Sequence, residues 1–190
     1  TGVTLSLATS SGSGGDAAGD TFTSFNNLVG SGQNDILTGD ANANSIDGGV
    51  GNDTIDGGAG NDSLVGGTGD DTFLGGAGND VMRGDGGTDT VDYSLSASAV
   101  TVNLAGTGSG GDAQGDTYNT IENITGSANS DTLTGDGSAN VIDGGAGNDN
   151  ISGGANNDTI TGGAGNDVIT GGAGADILDG GAGTNTLFFG

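Results

Sequence analysis

Large apolar side chains recur at every ninth position through most of this chain. With a glycine taken as position one of each repeat, position eight is apolar in all fourteen repeats, while positions seven and nine are mostly Thr, Ser, Asp or Val. One apolar residue between two polar neighbours is typical of a short strand with a single inward side chain. The pattern therefore predicts a three-residue strand in every repeat, and the predicted core residues are Leu37, Ile46, Ile55, Leu64, Phe73, Met82, Val91, Leu133, Ile142, Ile151, Ile160, Ile169, Leu178 and Leu187.

The six positions before each strand have the composition of a turn. The most regular copies are GGVGNDTID (48–56), GGAGNDSLV (57–65) and GGAGNDVIT (162–170), which share the pattern G-G-x-G-x-D-x-U-x, with U a large apolar residue. Glycine tolerates positive φ, and Asn and Asp bond to nearby backbone, so this segment favours a tight turn. A turn plus a short strand reverses the chain every nine residues, so that two repeats complete a coil of 18 residues. The predicted fold is therefore all-β, a right-handed parallel β-roll solenoid in which repeats n and n+2 stack.

The repeats form two tandem blocks of seven, each preceded by a leader. The predicted organisation is a first leader at 1–29, block 1 at 30–92, a second leader or connector at 93–125, and block 2 at 126–188. The chain is therefore a duplicated module of about 96 residues, and a short period inside a longer one is typical of a solenoid array.

The two leaders resemble each other. Val3–Ala8 matches Val100–Ala105, and Gly14–Thr21 matches Gly110–Thr117. Extending the nine-residue phase backward places Leu28 and Ile124 at position eight, which favours leaders that continue the solenoid. The alternative is a flexible hinge between two separate rolls.

Charge excludes several kinds of partner. The chain has 25 acidic residues and one basic residue, Arg83, and its formal net charge is −24. Nucleic acid is excluded as a partner because phosphates are bound by Lys and Arg, and an anionic membrane surface is disfavoured for the same reason. No apolar run approaches the roughly 18 residues of a membrane span, so we expect no membrane insertion.

The residue types that carry most catalysis are scarce. The chain contains no His and no Cys, and Arg83 stands at position nine, where it is expected to face outward. We therefore expect no enzymatic activity, and we interpret the many carboxylates as ligands of a hard cation.

The carboxylate at position six is the candidate metal ligand. Stacking brings the position-six residues of repeats n and n+2 onto adjacent coils, which gives five pairs in each block and ten in all. Two carboxylates with backbone carbonyls make an all-oxygen cage that suits Ca²⁺ better than Mg²⁺, and zinc is disfavoured without His or Cys. The predicted pairs are Asp35/Asp53, Asn44/Asp62, Asp53/Asp71, Asp62/Asp80, Asp71/Asp89, Asp131/Asp149, Asn140/Asp158, Asp149/Asp167, Asp158/Asp176 and Asp167/Asn185.

The three pairs that contain an asparagine are expected to be weak or empty, because an amide is a neutral ligand. Asp53 and Asp167 each belong to two pairs, so binding along a column should be cooperative. Without a cation we expect the stacked carboxylates to repel one another and the thin core to leave the chain disordered or molten. Four further aspartates stand in Gly/Asp turns of the leaders, where an extra ion is one alternative: Asp16, Asp20, Asp112 and Asp116.

The tandem nonapeptide resembles the RTX (repeats-in-toxin) calcium-binding family over residues 30–92 and 126–188. The resemblance implies calcium at the turns, folding triggered by calcium outside the cell, and type I secretion from a Gram-negative bacterium. It implies that the position-six carboxylates bind calcium, at Asp35, Asp53, Asp62, Asp71, Asp80, Asp89, Asp131, Asp149, Asp158, Asp167 and Asp176. It also implies carbonyl ligands from the turn glycines Gly48, Gly51, Gly57, Gly60, Gly66, Gly69, Gly75, Gly78, Gly144, Gly147, Gly153, Gly162, Gly165, Gly171 and Gly174. The second turn of each block, at 39–42 and 135–138, departs from the pattern by losing glycines.

Two functions remain open from the sequence. The first is a calcium-dependent structural segment of a secreted adhesin, surface-layer or extracellular matrix protein, and the duplicated module favours it. The second is the C-terminal secretion and folding domain of an exported protease, lipase or epimerase. Ice binding is disfavoured, because position three is mostly Ala where an outward Thr ladder is needed. Self-association, or packing against neighbouring modules, is an expected kind of contact besides calcium.

Overall fold

The computed structural model describes residues 1–189 and shows the predicted all-β parallel roll. The chain divides into two compact parts. The first roll comprises Thr1–Val91 with Asp116–Ile121, and the second roll comprises Asp92–Gly115 with the chain from Glu122 onward. Among residues 1–189 there is no helix both long and apolar enough to cross a bilayer.

The first roll has two sheets. In spatial order, the strands of one are β2 (Ser11–Ser13), β1 (Thr4–Ser6), β4 (Ile36–Thr38), β6 (Thr54–Asp56), β8 (Thr72–Leu74) and β10 (Thr90–Asp92). Those of the other are β3 (Asn27–Val29), β5 (Ser45–Val50), β7 (Ser63–Thr68), β9 (Val81–Gly86) and β12 (Thr117–Asn119). A short 3-10 helix at Gly15–Ala17 follows β2. β1 and β2 pair in antiparallel fashion, unlike the stacked strands of the coils.

The second roll repeats this plan. One sheet contains β13 (Asn123–Thr125), β15 (Val141–Asp143), β17 (Thr159–Thr161) and β19 (Ile177–Asp179). The other contains β11 (Thr101–Asn103), β14 (Thr132–Thr134), β16 (Asn150–Ala155), β18 (Val168–Ala173) and β20 (Thr186–Leu187). A 3-10 helix at Gly111–Ala113 corresponds to the helix of the first roll.

The strand register confirms the coil of two repeats. Ile46 lies opposite Leu64, which lies opposite Met82, so each partner is 18 residues further along the chain. The leader strands extend the sheets of their rolls, because β1 pairs with β4, β3 with β5, β11 with β14, and β13 with β15.

Five strands are longer than the three residues that the sequence pattern predicted. β5, β7, β9, β16 and β18 each span six residues, because positions one to three of the following repeat continue the pairing. Gly49, for example, lies opposite Gly67. Glycine has no Cβ, so adjacent coils approach closely enough to pair through what was predicted to be turn.

The predicted core is confirmed at twelve of its fourteen positions, which are buried. Leu28 and Ile124 of the leaders continue it and are also buried. The two exceptions are Leu178, which is half-buried, and Leu187, which is 48% exposed. They stand on β19 and β20, the last strands of their sheets, where no further coil of the described chain covers them.

The contribution of a core side chain to the free energy of unfolding should therefore depend on whether a further coil covers it. Ile160→Ala, at a fully buried rung, should lower the free energy of unfolding by about 2–5 kcal/mol, because it leaves a cavity between two stacked coils. Leu187→Ala should cost less than about 1 kcal/mol. Urea denaturation in calcium-containing buffer measures both, and equal losses would contradict the proposed difference in packing.

Candidate metal sites in the turns

The position-six aspartates are buried although they carry charge. Asp53 is 2% exposed and Asp80 is fully buried. The same holds for Asp35, Asp62, Asp71, Asp89, Asp131, Asp149, Asp158 and Asp167, whereas Asp176 is half-buried. A buried carboxylate is costly unless both oxygens have partners, so the contacts of each oxygen decide what the turn can hold.

The first carboxylate oxygen of each aspartate links two coils. Asp53 Oδ1 accepts a hydrogen bond from the backbone N–H of Asp35 at 2.8 Å, and Asp71 Oδ1 accepts one from Asp53 at 2.8 Å. The same bond joins Asp149 to Asp167, and Asn140 to Asp158. The structure therefore brings together the position-six residues that were expected to pair, in continuous columns.

The second oxygen has no hydrogen-bond partner in seven of the described turns. Buried Oδ2 atoms without a partner belong to Asp53, Asp62, Asp71, Asp80, Asp149, Asp158 and Asp167. An unsatisfied buried acceptor costs about 1–3 kcal/mol, and more when it is charged. The repetition of one unpartnered oxygen in seven turns indicates a site for a positive ligand.

The unpartnered oxygen faces a space lined by backbone carbonyl groups. A Cβ placed on Gly57 would lie 2.6 Å from both Asp62 Oδ2 and the carbonyl oxygen of Gly75 on the next coil. A Cβ on Gly144 would lie 2.7 Å from Asp149 Oδ2 and 2.6 Å from Gly162 O. Only glycine at position one leaves this space open, and its donors are all oxygens, which fits calcium.

Carboxylates alone do not make the site. Within residues 1–189 no group of three or more His, Cys, Asp or Glu side chains is placed to hold a metal ion. A metal ion bound here would need backbone carbonyls as further ligands. The expected position-one glycines flank the carboxylate: Gly48, Gly57, Gly66, Gly75, Gly144, Gly153, Gly162 and Gly171.

The position-four glycines lie elsewhere in the turn. The carbonyl of Gly51 points at Gly69 on the next coil, and the carbonyl of Gly147 points at Gly165. The carbonyl of Gly60 points at Gly78 in the same way, and the carbonyl of Asn156 points at Gly174. In the structure these glycines lie where adjacent coils approach closely, and their expected role as calcium ligands stays a prediction.

The first two turns of each block differ from the rest, and we call them closed turns. Their position-two residues are Ser31, Asp40, Ser127 and Asp136. In each, the position-two N–H donates to the position-six side chain of the same turn, as from Ser127 to Asp131 Oδ2 at 2.6 Å and from Asp136 to Asn140 Oδ1 at 2.9 Å. The Ser127 hydroxyl also bonds Asp131 Oδ1 at 2.9 Å, so both oxygens of this carboxylate accept hydrogen bonds.

The backbone at position two separates closed turns from the later, open turns. Gly58 and Gly145 have φ of 90° and 85°, whereas the four closed-turn residues are not in the left-handed region. The N–H of Gly58 then donates to Asp56 Oδ1 at 3.0 Å, away from position six, and Asp62 Oδ2 is left open. Sequence reasoning missed this distinction, although Ser or Asp replaces Gly at position two of all four closed turns. The residue type alone is not sufficient, because Asp85 stands at the same position with a φ of 69°.

The asparagine turns are satisfied by their own amides. Asn44 Nδ2 donates to the carbonyl of Asn26 at 3.0 Å, and Asn140 Nδ2 donates to the carbonyl of Glu122. Asn185 Nδ2 donates to Gly180 O at 2.6 Å. In each case an N–H group of the asparagine side chain bonds a carbonyl of the site, and the expectation that these sites are weak or empty stays a prediction.

One aspartate of the column in the first roll belongs to the second leader and not to a repeat of block 1. Asp116 of the second leader is fully buried, and its Oδ1 accepts a hydrogen bond from Asp80 N at 2.9 Å. It occupies the place of the next position-six residue above Asp80, 36 residues further along the chain. Asp16 and Asp20 are exposed and Asp112 is partly exposed. Sequence reasoning placed Asp116 in a leader turn, because the pairing skips a whole coil length.

A second ladder runs beside the aspartates at position five. Asn34 Oδ1 accepts from Asn52 N at 3.0 Å, and Asn148 Oδ1 accepts from Asn166 N at 2.8 Å. These side chains are exposed and fasten one coil to the next. The recurrent Asn-Asp pair in the repeats is the signal that could have identified this ladder.

Burial raises the pKa of several column aspartates. It raises the pKa of Asp53 and of Asp149 to about 6, and neighbouring carboxylates add to the effect. It raises the pKa of Asp80 to about 7, with Asp116 adding repulsion. These carboxylates are therefore poised to lose the proton to a bound cation, which favours the charged form.

A family model for the RTX calcium-binding nonapeptide repeat matches the chain several times. The matched residues are 20–55, 29–64, 56–91, 116–151, 125–160 and 152–187, together well over half of the chain. No curated protein matches the chain significantly.

The raised pKa values predict how the metal-free chain responds to pH. A group whose pKa is raised by folding favours the folded state when it is protonated, and this contribution is lost as pH rises through the folded pKa. In chelator, β content should therefore increase as pH falls from about 8 to about 5, which remains above the isoelectric point near 4.1. Far-UV circular dichroism measures this change. A signal that does not vary over that range would contradict the burial of these carboxylates.

The role of the position-one glycine can be tested by an Ala substitution there and by a control substitution at a glycine with open space around it. Gly57→Ala should weaken calcium binding and lower stability by more than about 1 kcal/mol, because the new methyl group enters the oxygen-lined space. Gly137→Ala is the control, since a methyl group added there would meet no heavy atom within 4 Å. Calorimetric calcium titration with chemical denaturation measures both, and similar losses in the two variants would contradict the assignment.

Proposed function

Since this chain belongs to the RTX calcium-binding nonapeptide repeat family, we propose that it is a calcium-dependent structural segment of a secreted bacterial protein of adhesin, surface-layer or extracellular matrix type. The repeats bind Ca²⁺, and RTX repeat proteins are typically secreted by Gram-negative bacteria. The repetitive roll is a structural module rather than a catalytic domain. The proposal adds where calcium binds, what it does to the fold, and where the fold is used.

One observation carries the proposal: the repeated buried Oδ2 atom without a hydrogen-bond partner. In five turns it shares the space beside the position-one glycine with a carbonyl of the next coil, at Asp53, Asp62, Asp149, Asp158 and Asp167. It occurs in the open turns and not in the closed ones. We assign calcium ligation to the carboxylates of Asp53, Asp62, Asp71, Asp80, Asp149, Asp158 and Asp167, with glycine carbonyls of the adjacent coil. Bound calcium supplies positive charge that neutralises two or more oxygens at once.

The closed turns take a different role in this proposal. Asp35 and Asp131 already accept hydrogen bonds at both oxygens, from Ser31 with Val3 and from Ser127 with Val100. We therefore expect their calcium sites to be weaker than those of the open turns. The closed turns and leaders would hold their part of each roll without the ion.

Calcium then controls folding. The chain carries a formal charge of −24, and its aspartate columns place like charges on adjacent coils. Each bound ion stabilises the folded chain by RT ln(1 + [L]/Kd), so many sites add to a large effect where calcium is abundant. Where calcium is scarce, as in the cytosol, the chain stays unfolded and can be exported. The duplicated module favours a rigid structural role outside the cell.

The ligand assignment predicts which substitutions change the calcium requirement. Asp53→Asn and Asp167→Asn should each raise the calcium midpoint for folding by roughly tenfold, because each removes a buried charged ligand. Asp47→Asn, an exposed position-nine change, should leave the midpoint nearly unchanged. Circular dichroism during a calcium titration measures the midpoints.

Magnesium serves as the control ion in the same titration. It should fail to induce the full transition at equal concentration, because it requires a stricter octahedral shell and retains water. Equal midpoints for the three variants, or an equal response to magnesium, would contradict the assignment of these carboxylates as calcium ligands.

A further inference from the structure

A leader strand closes the end of a block in the first roll. The second-leader strand β12 pairs with β9 in parallel, with Tyr118 opposite Met82. Thr117 N donates to Asp80 O at 2.8 Å, and Asp80 N donates to Asp116 Oδ1 at 2.9 Å. Met82 is fully buried. The segment Asp116–Asn119 therefore supplies a strand, a cover for the core and a column aspartate.

The same segment occurs in the first leader, where within residues 1–189 it bonds only the neighbouring leader hairpin and covers no block. Residues 14–21 match 110–117, so Asp20, Thr21 and Phe22 correspond to Asp116, Thr117 and Tyr118. Asp20 and Thr21 are exposed and Phe22 is half-buried. Phe22 lies edge-on to Phe25, which is 59% exposed, beside an apolar groove of about 250 Å³.

The backbone of this segment has one free edge. Phe22 N donates to Ser10 O at 3.2 Å, and Asp20 O accepts from Gly12 N at 2.9 Å. Both bonds lie on the edge of this segment that faces the hairpin formed by β1 and β2. In an extended chain the N–H and C=O of the residue between them point the opposite way, so those of Thr21 face outward.

The second roll presents the matching acceptor. Ile177–Asp179, which form β19, lie 96 residues after Val81–Arg83 and stand at the edge of their sheet. Their inner edge is occupied, since Ile177 N donates to Asp158 O at 2.8 Å. Ile177 is 68% exposed, and Leu178 is half-buried where Met82 is fully buried. Within residues 1–189, this edge therefore lacks the strand that β12 provides to β9.

We propose that residues 20–23 of one copy of this chain dock on Ile177–Asp179 of a second copy, as Asp116–Asn119 docks on β9. Thr21 pairs with Ile177, Phe22 covers Leu178, and Asp20 takes the column place next to Asp176. The contact is heterologous, since the surfaces differ, so copies add head to tail into linear chains.

The junction also completes a metal-binding turn from two copies, a point that rests on the proposed calcium function. Asp176 and Asp20 stand as Asp80 and Asp116 do, and both surfaces are acidic. Calcium should therefore strengthen association by neutralising the paired carboxylates.

Sedimentation velocity over a range of protein concentrations in calcium tests the proposal. The wild-type chain should shift from 17.7 kDa toward larger species as concentration rises. Phe22→Glu blocks the leader surface and Leu178→Glu blocks the acceptor edge, so each variant alone should remain a monomer. A mixture of the two should form a dimer and nothing larger, because one intact surface remains on each. Val141→Glu, an exposed change within block 2, is the matched control and should behave as wild type.

Circular dichroism of the same samples separates folding from association. If Leu178→Glu lowers the calcium-induced signal, Thr21→Pro with wild type replaces the mixture, since it removes the outward N–H and keeps the Phe22–Ser10 bond. Thr21→Pro should then stop growth when it is in excess. A wild-type chain that folds with calcium yet stays monomeric, or a mixture that does not dimerise, overturns this proposal alone. A chain that does not respond to calcium overturns the proposed function instead.

Discussion

The structure depends on burying one carboxylate per turn with only half of its hydrogen-bonding capacity met by protein. Asp53 shows the arrangement: Oδ1 holds the N–H of the preceding coil, and Oδ2 faces glycine carbonyls without a partner. Leaving such a charge unpaired costs more than a thin core can offset, because each strand contributes a single buried side chain. Under the proposed function, a cation is therefore required for the roll to fold.

We infer that the backbone at position two separates turns that need a cation from turns that do not. A residue outside the left-handed region directs its N–H to the carboxylate, as Ser127 does to Asp131. A glycine with positive φ, such as Gly145, directs its N–H to Asp143. The position-six carboxylate of the same turn then receives no hydrogen bond from position two. The φ angle at position two thus separates turns in which a backbone N–H bonds the carboxylate oxygen from turns in which that oxygen is left for a cation.

Sequence periodicity was sufficient for the coil, the core rungs and the aspartate columns, because side-chain periodicity and stacking register follow from a strict nine-residue repeat. It did not identify the role of Asp116, whose partner Asp80 is 36 residues away and outside the repeat phase. Nor did it distinguish Asp35 from Asp53, since both occupy position six and only the bonds of Ser31 separate them. Periodicity predicts what repeated positions share, whereas these differences arise from single departures from the repeat.

The two oxygens of each aspartate connect neighbouring coils in one direction. Asp71 holds the backbone of Asp53 through Oδ1, while its Oδ2 lies in its own turn, and Asp53 holds Asp35 in the same way. A cation that fixes the carboxylate of one turn therefore also fixes the bond to the coil before it. Order should spread along a column through nearest neighbours, as in other solenoids. The ends of a roll then matter most, because the last described coil receives this support from one side only. Its Leu178 is half-buried and its Leu187 is 48% exposed, whereas the rungs before them are buried.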